Sequence, residues 1–350
     1  MRAAVAVGDV SQFNPRTNPK AMTMQPLTPP SAPREIGVTD VIEPAYERVK
    51  QMLFRPFNLS KWITIGFCAW LAGFGESGGG GFNGFNGGGG HHHGHHGQGV
   101  EELRHFYQQA QDYFLMNIGW IVPLAAIVVL LALALWVTVL WLSCRGKFMF
   151  LHCVALDKAE VEVPWKKYAA PANSLFWFRL GLGVLGVVLL LPLLVFGAAL
   201  VVKMLLQGEP NLPAVMLVAG LALGFIVLAL GFSVIHKLLV DFVVPIMFLR
   251  SGSCLAAWGE FYALLSAHFW KFVVYLLFQI VVNMVIGMMI LLAILVTCCI
   301  AGCLMALPFV GTVLLLPVLI FKRAYPLYYL AQYGPRYDVF PVQAEPPAAG

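Results

Sequence analysis

Long apolar segments constrain this chain more than any other feature of its sequence. An α-helix rises about 1.5 Å per residue, so about 20 apolar residues are needed to cross a hydrocarbon core of about 30 Å. Segment 59–75 is marginal because Lys61 stands near its start and a glycine run follows it; a re-entrant or interfacial segment is the alternative there. The candidate spans are residues 59–75, 118–142, 180–202, 212–235, 272–296 and 301–321.

The composition agrees with this pattern. Charged residues make up 11% of the chain and apolar residues 59%, whereas charged residues are about 25% of an average soluble domain. An ordinary soluble protein is therefore excluded. We expect an all-α integral membrane protein with about six transmembrane helices.

Both ends of the chain differ from its apolar middle. Residues 1–39 are rich in proline, serine and threonine and contain no long apolar run, so they cannot bury enough surface to offset the entropy lost on ordering. The last residues of the chain have a similar character. We predict disordered tails at 1–39 and 334–350 and a membrane domain at 40–333.

Lysine and arginine fall almost entirely on one side of the predicted spans. With six spans, and apart from the four in residues 1–39, sixteen of these residues share the side of the two termini, and only Arg104 and Lys203 lie opposite. Cytoplasmic loops next to spans hold the excess of positive charge. The distribution predicts that both termini are cytoplasmic, and it accounts for the net charge of +5 without a nucleic-acid partner.

Three similar strings recur along the chain, one at the end of every second span. They are "KFMFL" at 147–151, "PIMFL" at 245–249 and "PLYYL" at 326–330. This recurrence predicts three repeats, each an interfacial amphipathic segment followed by a helical hairpin. The predicted repeats are residues 40–151, 152–249 and 250–330.

Paired tryptophans support the repeat. Trp165 and Trp177 are twelve residues apart, and so are Trp258 and Trp270. Twelve residues is a little over three helical turns, so each pair is expected on one face of a helix in the headgroup layer. In the first repeat, apolar residues recur at helical spacing from residue 42 to 53, which predicts a helix lying on the membrane.

The segment "DFVVPIMFLRSGSCLAAWGEFYALLSAHFWKF", residues 241–272, carries a family resemblance. It is similar to the recurring segment of the bacterial multi-helix membrane domain that is fused to some glycerophosphodiester phosphodiesterases and that also occurs in related uncharacterised membrane proteins. The pattern of helices is similar over residues 40–333. Similarity of the residues themselves is recognisable only in 241–272 and in 147–178. We expect no soluble phosphodiesterase domain within these residues, so the resemblance implies a membrane fold in a bacterial plasma membrane and carries over no catalytic residue.

A tract rich in glycine and histidine, "GGGGFNGFNGGGGHHHGHHGQG", occupies residues 78–99, in the predicted extracytoplasmic loop 76–99. An ordered site for zinc, copper or nickel needs fixed ligand geometry and supporting contacts, which glycine does not provide. We interpret the tract as a slack loop; opportunistic metal binding and a built metal site are the alternatives. Its histidines are His91, His92, His93, His95 and His96.

The seven cysteines do not form a disulfide framework. Four lie singly in spans or connectors, where reduced, packed thiols are expected. Three fall at the turn between the last two spans, where we expect small apolar turn residues and where a disulfide from Cys298 to Cys303 is the alternative. The four are Cys68, Cys144, Cys153 and Cys254, and the three are Cys298, Cys299 and Cys303.

Few polar residues fall at membrane depth, where transport and catalysis usually need them. For Asp241 we expect a salt contact with a neighbouring basic residue, and a proton relay is the alternative. Gln279 and Asn283 share a helix face and are expected to form interhelical hydrogen bonds. Gly220 and Gly224 form a GxxxG pair, which is typical of close helix packing.

The chain lacks the usual catalytic and nucleotide-binding motifs, including a Walker loop, a dinucleotide glycine fingerprint and HExxH. We therefore predict no enzymatic activity, no cofactor, and no catalytic, cofactor-binding or metal-binding residue. The expected function is a non-catalytic membrane protein that organises lipid, envelope or partner proteins. The alternative is a transporter or channel for an apolar or amphipathic solute. The expected partners are the lipid bilayer and either other membrane proteins or further copies of the chain.

Overall fold

The computed structural model describes residues 37–55, 57–74, 116–207, 212–297 and 300–340, together with residues 109 and 113. Across these residues all regular elements are helical, and the all-α prediction is confirmed. The glycine- and histidine-rich tract and most of the two predicted tails lie outside the described residues.

The helices follow one another with short connections. In chain order they are α1 Ile42–Phe54, α2 Leu59–Gly73, α3 Ile118–Leu156, α4 Glu162–Lys167, α5 Ala169–Gln207, α6 Leu212–Leu238, a π-helix Leu239–Val243, α7 Val244–Arg250, α8 Cys254–Ala267, α9 Phe269–Val296, α10 Ile300–Ala306, α11 Pro308–Leu314, α12 Leu316–Ala331 and a 3₁₀ turn Pro335–Tyr337.

Local chemistry sets several of these helix ends. The side chain of Asn58 accepts hydrogen bonds from the backbone N–H groups of Ser60 and Lys61 at the start of α2, as a helix N-cap does. Asp157 and Ser251 follow α3 and α7 in the left-handed conformation, with φ of 56° and 51°. A residue in that conformation commonly ends a helix.

Among the described residues, four helices are long and apolar enough to cross a membrane: α3, α5, the continuous helix formed by α6 through α7, and α9. None of the residues in the most apolar windows of the first three is buried by protein, and 11% are in α9. Such exposed apolar surface requires an apolar surrounding. The prediction of long apolar helices is confirmed, and their exposed apolar surfaces are those expected of a membrane protein.

The structure does not confirm the count of six spans. Segment 59–75 forms α2, whose 15 residues rise only about 22 Å. Segment 301–321 is divided among α10, α11 and α12. Pro308 and Pro317 stand in the first turns of α11 and α12, and proline lacks the N–H group that would continue the preceding helix.

The buried core lies away from the apolar span surfaces. It combines α1 and α2 with the last residues of α3, the π-helix, α7 and α12. Arg48 of α1 is buried there, and its guanidinium donates to the carbonyl oxygens of Val154 and Ala155 at 2.8–3.1 Å. The residues just before α1 are attached to α12, because the Tyr325 hydroxyl donates to the carbonyl oxygen of Val38 at 2.7 Å.

Two predictions about interfacial segments are wrong. The apolar face of α1 does not lie on the membrane, because Ala45, Met52 and Leu53 are fully buried in the protein core. The paired tryptophans do not share a helix. Trp165 lies in α4 and its partner in α5, with the break at Tyr168, and the second pair is divided in the same way between α8 and α9.

Candidate functional site

Polar residues of α3, α5 and α6 meet where their apolar stretches end. Arg179 of α5 is 8% exposed. Its Nη1 donates to the Ser143 hydroxyl at 3.4 Å and lies 3.9 Å from the Cys144 sulfur, and its Nη2 lies 3.1 Å from His236 Nε2. We call these four residues the Arg179 cluster. They show that the apolar stretches of the three helices end at a common level.

The contact between Arg179 and His236 places a guanidinium next to an imidazole nitrogen, 3.1 Å away. Arginine carries N–H donors and no acceptor, so His236 Nε2 must accept this hydrogen bond. For this contact to be a hydrogen bond, the Nε2 atom of His236 must carry no proton. Protonation of His236 would remove the acceptor and place two cations side by side.

A groove extends from the Arg179 cluster along the same three helices. Its volume is about 540 Å³, and apolar side chains form most of its lining, as in ligand pockets of about 300–1,000 Å³. On α5 the lining runs from Arg179 to Leu194, a rise of about 22 Å. Val187 and Leu191 are more than half exposed at its edge, so the groove is open on the outer surface of the helices.

Two glycines of α5 create the space in this groove. A Cβ atom added to Gly183 would lie 3.4 Å from the Trp136 ring of α3, and one added to Gly186 would lie 3.8 Å from the Phe232 ring of α6. Side chains larger than alanine at either position would therefore enter the groove. The sequence reasoning missed this site. A lone arginine followed by closely spaced glycines, "RLGLGVLG", was the available signal.

A protein-family profile matches most of the chain. The profile of a family of unknown function, DUF7544, matches residues 37–317. The chain belongs to DUF7544. No curated protein and no solved structure matches it. The description of DUF7544 names no activity, so the resemblance to the membrane domain fused to phosphodiesterases stays a prediction.

A second polar group in this DUF7544 chain surrounds the π-helix. Lys237 Nζ lies 2.8 Å from Asp241 Oδ2, which confirms the predicted salt contact. The Tyr275 hydroxyl of α9 donates to the same oxygen at 2.9 Å, and Gln279 Nε2 donates to that hydroxyl at 3.3 Å. These four residues form the Asp241 network, which joins α6 to α9.

An arginine side chain also contacts the backbone of the π-helix. Arg323 of α12 donates through Nη1 to the carbonyl oxygen of Val240 at 2.8 Å. Such π-helical turns disturb the regular backbone ladder and occur frequently at functional sites. The contacts of Asp241 and Arg323 join neighbouring helices, and we assign this region to structural support.

Gln279 is buried, which agrees with the predicted interhelical packing, but the hydrogen bonds of Gln279 and Asn283 do not cross directly to another helix. Each donates within α9, to the Tyr275 hydroxyl and to the Gln279 carbonyl oxygen, and only the tyrosine reaches the neighbouring helix. Of the two glycines in the GxxxG pair, only one faces a neighbouring helix. A Cβ atom at Gly224 would meet Leu193 of α5 at 3.7 Å, whereas one at Gly220 would meet nothing within 4 Å.

Two of the cysteines that were expected to lie singly are neighbours in the structure. Cys68 of α2 and Cys153 of α3 are fully buried, with their sulfur atoms 3.9 Å apart, and both are free thiols. Cys298 and Cys299 lie outside the described residues, as do the histidines of the glycine-rich tract. Within the described ranges, no three or more His, Cys, Asp or Glu side chains are grouped so that they could hold a metal ion.

Proposed function

We propose that this protein is a non-catalytic multi-pass membrane protein that binds lipid in the groove between α3, α5 and α6. The groove itself is the observation that carries the proposal. Its lining is mostly apolar, it is open at the outer surface of long apolar helices, and its volume of about 540 Å³ suits a small ligand. The ligand that surrounds such helices in a membrane is an acyl chain.

The length of the groove supports an acyl chain as the occupant. The lining on α5 rises about 22 Å, whereas one leaflet of the hydrocarbon core is about 15 Å thick, half of about 30 Å. A lipid chain that extends from the Arg179 cluster along α5 therefore remains in contact with the groove through its leaflet. Binding of this kind would let the protein organise lipid around itself.

The same length favours a second candidate, the transport of an apolar or amphipathic solute. A groove longer than one leaflet reaches past the middle of the bilayer, as a pathway between leaflets must. A transporter moves its solute from one side to the other, whereas a lipid-organising protein retains it. Liposomes with a fluorescent lipid in one leaflet distinguish the two, because only transport raises the rate at which the label becomes accessible on the other side.

We further propose the finer topology. The protein has six spans in three repeats, both termini are cytoplasmic, and it resides in a bacterial plasma membrane. The distribution of lysine and arginine supports the orientation. The order of helices supports the second and third repeats, since a short helix precedes a much longer one at α4–α5 and at α8–α9. Its expected partners are lipid and either membrane proteins or further copies of the chain.

Replacement of one groove glycine tests lipid binding. A Gly186→Leu side chain enters the groove, and Gly197→Leu is the matched control because it lies on the same helix with nothing within 4 Å of its Cβ position. We expect native mass spectrometry to find a retained lipid on the wild type and on Gly197→Leu but not on Gly186→Leu. Equal lipid retention by all three proteins would contradict the proposal.

A further inference from the structure

We propose that the groove selects an anionic lipid, whose phosphate headgroup binds Arg179 while its acyl chain lies along α5. This inference rests on the proposed function and adds the class of ligand. Among the described residues, Arg179 and His236 are the ionisable ones that line the groove, and both stand at the same end of it. An apolar groove with a cation at one end matches an amphiphile with an anionic end.

The position of Arg179 along the helix matches the depth of a headgroup. Residues 180–202 are almost wholly apolar and rise about 34 Å, close to the hydrocarbon thickness of about 30 Å. Arg179 immediately precedes this stretch, and His236 immediately follows the apolar stretch 212–235. The Arg179 cluster therefore lies at the edge of the hydrocarbon, where lipid phosphates are found.

Two contacts of the Arg179 guanidinium are longer than those it would form with a phosphate. Its approaches to Ser143 and Cys144, at 3.4 and 3.9 Å, are long for hydrogen bonds to oxygen and sulfur. A phosphate oxygen forms a shorter, charge-assisted bond with a guanidinium, often through two N–H groups at once. Such a bond can replace these two long contacts while His236 continues to accept from Nη2.

The neighbouring cations have other positions and contacts. Lys237 lies against Asp241, and the Arg145 guanidinium stacks on the rings of Trp141 and Trp165 at 4.6 and 4.7 Å. Arg179 differs from them because it lines the groove while being largely buried. Charge interactions at such a buried site are screened less than at an exposed one, so the selection is assigned to Arg179.

Lipids that differ only in their headgroup test this inference. The purified full-length protein is titrated with a phosphate monoester lipid, phosphatidylcholine and diacylglycerol of identical acyl chains, and the bound lipid is counted by native mass spectrometry. We expect the wild type to prefer the anionic lipid over the other two by about tenfold, the order of one charge-assisted hydrogen bond. Glycerol phosphate without an acyl chain should not displace it.

Variants of α5 assign the preference to one side chain. Arg179→Gln should bind the three lipids equally. Arg179→Lys, which keeps the charge but not the planar fork, should retain part of the preference and serves if the first variant does not fold. Lys203→Gln is the control, since it removes an exposed positive charge at the opposite end of the same apolar stretch, and it should keep the full preference.

The outcomes separate this inference from the proposed function. Equal binding of all three lipids by the wild type, or an unchanged preference in both Arg179 variants, would overturn the anionic headgroup while the groove remains a lipid site. Displacement by glycerol phosphate would show a site for water-soluble anions and would also overturn it. Lipid retention that is unaffected by Gly186→Leu would instead overturn the groove as the site.

Discussion

Substitution of Gly146 by alanine should separate two helices of the core. A Cβ atom at this position of α3 would lie 2.5 Å from the backbone nitrogen of Ala72 and 2.5 Å from the carbonyl carbon of Leu71 in α2. Ordinary contacts of this kind are 3.4–4 Å, so the helices must move apart by about 1 Å. Backbone atoms cannot move aside by a change of rotamer, which makes this position more sensitive than one that faces a side chain.

The expected cost follows from three contributions. Overpacking of a core typically costs about 1–3 kcal/mol. Separation also lengthens the hydrogen bond from the Ser143 hydroxyl to the Ala72 carbonyl oxygen, now 3.0 Å, a loss of about 1 kcal/mol. Alanine recovers about 1 kcal/mol relative to glycine in a helix. We therefore expect a net destabilisation of about 2 kcal/mol and a Tm lower by roughly 5 °C.

Thermal unfolding of the detergent-solubilised protein measures this change. Gly181→Ala is the matched control, because nothing lies within 4 Å of its Cβ position and it receives the same gain in helix propensity. We expect its Tm to equal or exceed that of the wild type. A Gly146→Ala protein as stable as Gly181→Ala would refute the close packing of α2 on α3.

Three further predictions test other parts of the structure. Tyr275→Phe removes a buried hydrogen bond to the Asp241 carboxylate and should lower the unfolding free energy by about 1–3 kcal/mol; an unchanged Tm would contradict the Asp241 network. The hydrogen bond from Arg250 lowers the pKa of Glu260, so the pair stabilises the protein above the unfolded pKa of about 4.3. That contribution should disappear as the pH falls through the lower folded pKa, and unfolding measured against pH should show a shallower acid loss for Glu260→Gln; identical profiles would contradict the pairing. A reporter active only outside the cytoplasm should be silent when fused at Lys158 and active when fused within 208–211, and signal at Lys158 would overturn the topology.

The sequence predicted the elements that depend on local pattern. Apolar length identified the helical course of α3, α5, α6 and α9, because a helix that crosses a bilayer needs about 20 apolar residues wherever it lies in the fold. The contact of Asp241 with a nearby cation was also predictable, since Lys237 is one helical turn away. Such features need no knowledge of which helices are neighbours.

The features that depend on helix neighbours were not predictable in this way. The apolar face of α1 has the pattern of a membrane-surface helix, and burial against α12 produces the same spacing. Breaks at Tyr168 and His268 divided the tryptophan pairs, although neither residue is a strong helix breaker. The groove arises because glycines of α5 face aromatic rings of α3 and α6, and a single sequence does not state which faces meet.

Photo-crosslinking in the membrane tests the central claim most directly. An anionic lipid with a photoreactive group on its acyl chain is incorporated into membranes that contain the wild type, and the labelled positions are mapped by peptide mass spectrometry. We predict adducts concentrated on the groove, around Leu190 and Phe232, that are lost in Gly186→Leu and retained in Gly197→Leu. Adducts spread evenly over the exposed faces of all the spans, and unchanged in Gly186→Leu, would contradict a lipid site in the groove.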